Sequence, residues 1–289
     1  MILLTGAAGK TGRAVLQALV KKEAAVRVFV HNQDQASDLL KAGATEALLG
    51  DFTSTDALNT AVKGITSIYH ICPNMHPAEV EIGRSLIEIT AEAGVKHFVY
   101  HSVLHPQTEK MPHHWNKLRV EELLLEAGLS FTILQPAPYM QNILAAREAI
   151  LKEGLYSAPY PADTALSLID LQDLGEAAAV VLTGKGHANA IYELSGTTAL
   201  TQSELVAMLT VARGSSVRYA EIASDQWLLN AAESGLGEYA VETLTKMFHY
   251  YAAFGLRGST NQLRWLLGRE PTGFLQFAKR EIFNSRGSH

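Results

Sequence analysis

Cysteine occurs once in the 289 residues, at Cys72. No disulfide can form within the chain, and a lone thiol suits a reducing compartment, so the expected location is the cytoplasm. A basic excess is missing too: 24 Lys and Arg stand against 29 Asp and Glu, a formal charge of −5. With no basic run to hold a phosphate backbone, direct nucleic-acid binding is not expected. Long apolar runs are also absent. The opening MILLTGAAGKTG reaches glycine too soon for a signal-peptide core or a membrane span, so no membrane association is expected. Proline is sparse, and no low-complexity or repeated tract interrupts the chain. What is present is apolar. Hydrophobic residues make up 47% and charged residues 18%, enough for one large α/β domain or a dinucleotide domain with a smaller lobe. The final SRGSH resembles the start of a histidine-tag scar, so residues 286–289 carry no functional expectation.

One phrase recurs through the first half: apolar positions at helical spacing, a glycine, then a short segment rich in β-branched and aromatic residues. Stripes such as Ala36, Leu39 and Leu40 run into Gly43, Gly64, Gly94 and Gly128, which read as left-handed helix ends. ATEALLGD, ITSIYHIC, VKHFVYHSV and LSFTILQP follow them, and their unbroken apolar character predicts strands buried on both faces. Together with MILLT and AVRVFVH they predict an α/β Rossmann fold, a doubly wound parallel sheet with ligands beyond the strands' carboxyl ends. Past Gln135 the pattern changes. Residues 137–154 read as a loop and helix, YSAPYPAD as a proline-rich connection, and IDLQDLGEAAAVVL as a helix opened by a capping box from Asp173 to Glu176. AIYELSG is a candidate further strand, and TQSELVAMLTVAR, SDQWLLNAAESG and EYAVETLTKMFHYYAAFG predict helices. The expected organisation is an NAD(P)-binding Rossmann domain over 1–196 and a small, mainly helical substrate-binding region over 197–285.

Gly6, Ala7, Ala8, Gly9, Lys10, Thr11 and Gly12 lie between the first strand and a helix carrying Val15, Leu16, Leu19 and Val20. Glycines there allow a tight turn and let the backbone approach a pyrophosphate, while the helix offers free N–H groups and the positive end of its dipole. Lys10 and Thr11 precede the last glycine, the reverse of a triphosphate loop, so a dinucleotide is the expected ligand. A carboxylate ending the second strand would select NAD, but that strand ends in His31 and Asn32. Lys10 and His31 can instead donate to a 2′-phosphate, which favours NADP over NAD. Asp51 and Phe52 after the third strand are placed to meet the adenine, although Asp51 can equally serve the turn before the next helix.

These motifs, with His113-x-x-x-Lys117, P-A-P-Y-M-Q-N from Pro136 to Asn142 and L-L-G-R-E-P-T-G-F from Leu266 to Phe274, resemble the NmrA-like branch of the atypical short-chain dehydrogenase/reductases over almost the whole chain. The resemblance implies one of two activities: reduction of quinones or triphenylmethane dyes, or a redox sensor that binds dinucleotide and regulates a protein partner without turnover. It also implies that Ile71, Cys72, Pro73 and Asn74, with Pro136, Ala137, Pro138 and Tyr139, flank the nicotinamide. Relatives commonly carry arginine where this chain has His31.

Short-chain dehydrogenases pair a strand-five serine with Tyr-x-x-x-Lys. Here Ser102 is present, but His113 stands at the tyrosine position, four residues from Lys117 and on the same helix face. The expected catalytic set is Lys117 on the nicotinamide ribose, His113 as proton donor because imidazole titrates near working pH, and Tyr139 as a second hydroxyl. Eleven histidines suggest metal by number alone, and no ligand spacing supports it, so no metal site is expected. The leading expectation is an NAD(P)H-dependent reductase of a small apolar or aromatic acceptor. The alternative is a dinucleotide sensor. An epimerase or dehydratase suffers most from the missing tyrosine.

Overall fold

A computed structural model describes residues 1–233 and 235–284. The first half alternates as the sequence predicts. β1 (Ile2–Leu4), β2 (Val26–Val30), β3 (Glu46–Leu49), β4 (Ser67–His70), β5 (His97–His101) and β6 (Phe131–Pro136) are linked by α1 (Lys10–Lys21), α2 (Gln33–Lys41), α3 (Thr55–Val62), α4 (Glu79–Glu92) and α5 (Pro112–Glu126). Gly43, Gly64, Gly94 and Gly128 all take positive φ after α2 to α5, as left-handed helix ends require. A 3-10 helix (Met140–Ala146) and α6 (Arg147–Glu153) follow, then β7 (Leu155–Ala158), β8 (Ala165–Leu166), α7 (Leu171–Thr183) and β9 (Ala190–Leu194). The chain continues through β10 (Leu200–Thr201), α8 (Gln202–Arg213), β11 (Arg218–Glu221), α9 (Ser224–Glu233), α10 (Glu238–Phe254), α11 (Asn261–Leu267) and α12 (Phe274–Ala278).

The main sheet runs β3-β2-β1-β4-β5-β6-β9, with every neighbouring pair parallel. AIYELSG supplies its last strand. The order reverses between β1 and β4, which sets a crevice over their carboxyl ends. β3 departs from the expected burial on both faces. It is an edge strand, so its residues are half-buried and Leu49 is 49% exposed. The core lies in two layers. One, with Leu16, Leu19, Leu174 and Ala178, faces α1 and α7, and the other, with Leu58, Leu86, Phe98 and Leu124, faces α3, α4 and α5.

α1 and α7 approach so closely that a Cβ on Gly175 would lie 2.5 Å from the Ala14 carbonyl oxygen. The cap of α7 is Asp170, whose side chain accepts from the Gln172 N–H, and not the Asp173–Glu176 box. Asp173 is buried and serves a distant segment instead. It accepts from the Thr272 N–H at 2.6 Å and from Arg269 at 2.8 Å, while Arg280 pairs with Asp170 at 2.5 Å. The terminal R-E-P-T-G stretch is thereby clamped onto α7. Two small sheets join residues on either side of position 196: β10 pairs antiparallel with β8, and β11 pairs parallel with β7. β7 overlaps the start of the stretch expected to be a proline-rich connection. No described helix is long and apolar enough to cross a membrane. The tag-like residues 286–289 and position 285 lie outside the described residues.

Candidate active site

The glycine loop makes two kinds of contact. Gly6 sits at φ +63, and a Cβ there would meet the Ile71 Cβ at 2.9 Å. A Cβ on Gly12 would strike the loop itself, 2.5 Å from the Ala7 Cα, so these two glycines close the turn. Gly9 differs. It has φ −74, and a Cβ there would meet only the Gly6 carbonyl oxygen, at 3.5 Å. Gly9 is the N-cap of α1, no side chain among the described residues caps that helix, and its first turn carries no acid. Free N–H groups therefore face the crevice at the positive end of the dipole, the arrangement an anionic pyrophosphate requires.

A cleft of about 900 Å³ runs from this loop to the late helices. Of the sequence-predicted residues it is lined by Gly6 to Gly12, His31, Phe52, Ile71 to Asn74, Ser102, His113, Lys117 and Pro136 to Tyr139. Asp51 does not line it. Its carboxylate accepts from the Thr53 N–H at 2.7 Å and the Thr53 hydroxyl at 2.6 Å, which lowers its pKa, and it lies 3.4 Å from His31 Nδ1. Asp51 shapes the turn before α3. At the far end of the cleft stand Tyr156, Tyr160, Trp227, Phe248 and Tyr251. Trp227 packs edge-on to Phe248 with centroids 4.9 Å apart, and Tyr160 meets Phe248 at 5.6 Å.

The proposed catalytic trio is brought together, with corrections to its chemistry. Lys117 Nζ donates to Glu79 Oε1 at 2.6 Å and to the His101 carbonyl at 3.3 Å. Burial is the largest influence and disfavours its charge, but the Glu79 carboxylate together with Cys72 and Tyr139 outweighs it and holds the pKa above the ordinary lysine value. His113 does not titrate near working pH as the sequence suggested. It is 7% exposed, and burial, helped by His114 and Lys117, pushes its pKa down to about 2. Its imidazole therefore stays neutral near working pH and is not the ready proton donor that an ordinary imidazole would be. Among the described residues its buried Nδ1 has no hydrogen-bond partner. Ser102 donates a short hydrogen bond to Glu121, whose oxygens also accept from Gln135 at 3.0 Å. Burial raises the Glu121 pKa against those bonds.

Sequence reasoning missed Glu79, Glu121, His101 and Tyr69. Glu79 and Glu121 carried a usable signal: each lies on an apolar helix stripe, Glu79 with Ile82 and Leu86, Glu121 with Leu124. An acid on such a stripe needs a buried partner. His101 Nε2 lies 2.8 Å from the Tyr139 hydroxyl, and its Nδ1 lies 2.8 Å from the Tyr69 hydroxyl. Nothing local announces that pairing, which joins residues from three separate strand ends.

A crevice at the sheet's switch point, floored by a glycine loop and walled by late helices, defines a dinucleotide-dependent α/β protein. The chain belongs to the NmrA-like family, which it matches over residues 1–276. It is 28% identical over 284 residues to the NAD(P)H azoreductase of Xenophilus azovorans, covering 96% of this chain and 97% of that one. It is also 28% identical over 286 residues to quinone oxidoreductase 2 of Escherichia coli, covering 98% and 99%. The Escherichia coli NADPH-dependent quinone oxidoreductase solved with NADPH superposes with a TM-score of 0.85 at 28% identity, covering 98% of this chain and all of that one.

Proposed function

We propose that this chain is an NADPH-dependent reductase that transfers hydride to small apolar or aromatic acceptors of the quinone or dye type. One observation carries the reading: a single cleft joins the uncapped amino end of α1 to an aromatic chamber. A hydride donor and an apolar acceptor can therefore lie end to end in one space. The two relatives named for azo and quinone reduction align over nearly their full length.

Bound NADPH supplies the hydride, and the protein's contribution is orientation and proton supply. The amino end of α1 holds the pyrophosphate, and Lys10 with His31 receives the 2′-phosphate. Lys117, anchored by Glu79, is placed to hydrogen-bond the nicotinamide ribose. Tyr139 and the Ile71 to Asn74 loop flank the ring. The aromatic side chains beyond exclude water and bind the acceptor face by stacking. Residues 1–196 act as the dinucleotide-binding unit, and the substrate-binding region over 197–285 adds Trp227, Phe248 and Tyr251 to an acceptor wall that Tyr156 and Tyr160 share. The lone buried cysteine suits work in the cytoplasm.

The test is a screen of benzoquinones, naphthoquinones, azo dyes and triphenylmethane dyes with NADPH and NADH, following loss of nicotinamide absorbance. NADPH-supported turnover of at least one class, well above the rate without protein, is the expected result. Tight NADPH binding without turnover of any acceptor would assign the chain to the sensor alternative.

A further inference from the structure

Tyr69, His101 and Tyr139 form a chain of hydrogen bonds that starts inside the sheet and ends at the cleft. Tyr69 is fully buried, and among the described residues its hydroxyl has one hydrogen-bond partner, His101 Nδ1, at 2.8 Å. His101 is 4% exposed. A neutral imidazole has one N–H and one bare nitrogen, so two arrangements exist. In one, Nδ1 carries the proton and donates to Tyr69. The Tyr69 O–H would then be a buried donor with no acceptor, a costly state. In the other, the Tyr69 O–H donates to a bare Nδ1 and the proton sits on Nε2, from which it donates to the Tyr139 oxygen. The Tyr69 hydroxyl and both ring nitrogens are then satisfied, and the Tyr139 hydroxyl, which also meets the Thr11 side chain, keeps its own proton.

We infer that Tyr69 locks His101 in the Nε2–H tautomer, and that this lock turns the Tyr139 hydroxyl proton outward as the acid that protonates the reduced acceptor. The inference rests on the reductase reading and adds to it the source of the proton and the residues that aim it. Burial and the nearby Lys117 charge depress the His101 pKa to about 3, consistent with a neutral ring. Burial raises the Tyr139 pKa, against opposing contributions from Thr11 and Lys117, so the hydroxyl holds its proton until it is needed.

The step balances simply. Bound NADPH would supply the hydride, its dihydronicotinamide C–H bond breaking and NADP+ being left as the quinone gains the hydride; the Tyr139 O–H breaks as an O–H bond forms on a quinone oxygen, giving the hydroquinone. Tyrosinate 139, held by the His101 Nε2–H, then recovers a proton from solvent through the open cleft. Tyr69 cannot supply it, because burial raises its pKa well above the ordinary tyrosine value and no proton could replace its own. Tyr69 and His101 are thus positioning residues, and Tyr139 is the catalytic one.

A cationic triphenylmethane dye separates the roles, since it accepts hydride alone and needs no proton. Tyr69→Phe is isosteric and removes only the lock. It should lower kcat for a naphthoquinone by about 10-fold or more, the range for losing an outer hydrogen-bond partner. Its kcat for the cationic dye and its NADPH affinity should stay within twofold of the parent. Tyr139→Phe should cost the quinone about 10²-fold. Independently of activity, ¹⁵N-labelled histidine NMR of the full protein should show His101 protonated at Nε2, and Tyr69→Phe should mix the tautomers. A proton on Nδ1 in the parent, or equal losses for quinone and dye in Tyr69→Phe, overturns the lock alone. Absence of turnover with every acceptor overturns the proton-donor role together with the reductase reading.

Discussion

Removing the ammonium of Lys117 while keeping its stem, in Lys117→Met, should strand a charge. The side chain of Glu79 is 3% exposed and that of Lys117 is 15% exposed, and their contact is 2.6 Å. Without the lysine, Glu79 Oε1 keeps the Tyr100 hydroxyl at 3.0 Å as its partner. Breaking a buried pair by deleting one member costs about 3–5 kcal/mol, because the survivor keeps its desolvation penalty and loses its compensation. At about 2 °C per kcal/mol for a chain of this size, Tm should fall by roughly 6–10 °C. Lys117→Met/Glu79→Gln removes both charges and keeps an acceptor for Tyr100, and it should recover at least about 2 kcal/mol of that loss. Calorimetric melts of the parent, both single variants and the double variant close the cycle. A single variant melting within 2 °C of the parent, or a double variant no better than the single, would refute the reasoning.

Gly9→Val should leave the circular dichroism spectrum unchanged and abolish calorimetric NADPH binding, since a side chain there meets little protein and occupies the phosphate side of the loop. Retained affinity would mean the loop holds no pyrophosphate. Lys10→Ala should weaken NADPH by roughly 1–2 kcal/mol and leave NADH nearly untouched. Titration with both cofactors decides, and equal losses would show that Lys10 does not read the 2′-phosphate. The pKa values of His70, His101, His113 and His114 are depressed to about 3, 3, 2 and 4. Once unfolded, these side chains titrate near 6.5 and bind protons first as pH falls. Their contribution to stability is whole above about pH 6.5 and is lost below it, by up to about 1.4 kcal/mol per pH unit for each. Urea midpoints at pH 7.5 and 5.5 should differ accordingly. Glu121 runs the other way: its raised pKa makes its contribution largest below about pH 4.3 and lost as pH rises through the folded value. The Tm difference between Glu121→Gln and the parent should therefore be more favourable at pH 7 than at pH 4.

The sheet was legible because central parallel strands are apolar on both faces and leave continuous runs, and because α2 to α5 each run into a glycine. β3 misled for the same reason. Its composition is that of a central strand, and only the topology makes it an edge. The loop from Gly6 to Gly12 was legible because its chemistry is local, held within one strand, turn and helix. The proton-handling groups were not. Lys117 was visible, but its partner Glu79 lies 38 residues away, and the Tyr69–His101–Tyr139 chain spans strand ends 32 and 38 residues apart. His113 was found and its ionisation misjudged, since the burial that depresses its pKa comes from tertiary packing. Asp173 matched a capping spacing, but its carboxylate binds residues nearly a hundred positions away.

α10 has 17 residues, and Thr243 and Tyr251 are those it buries fully. Leu244, Met247 and Phe248 line the cleft and are only half-buried. Residues in such positions contribute little to the free energy of folding, so exchanging them reshapes the chamber without eroding the scaffold that carries the cofactor. Selection, or a mutational library confined to α9 and α10, can therefore explore new acceptors while the dinucleotide end stays under its own, separate constraint.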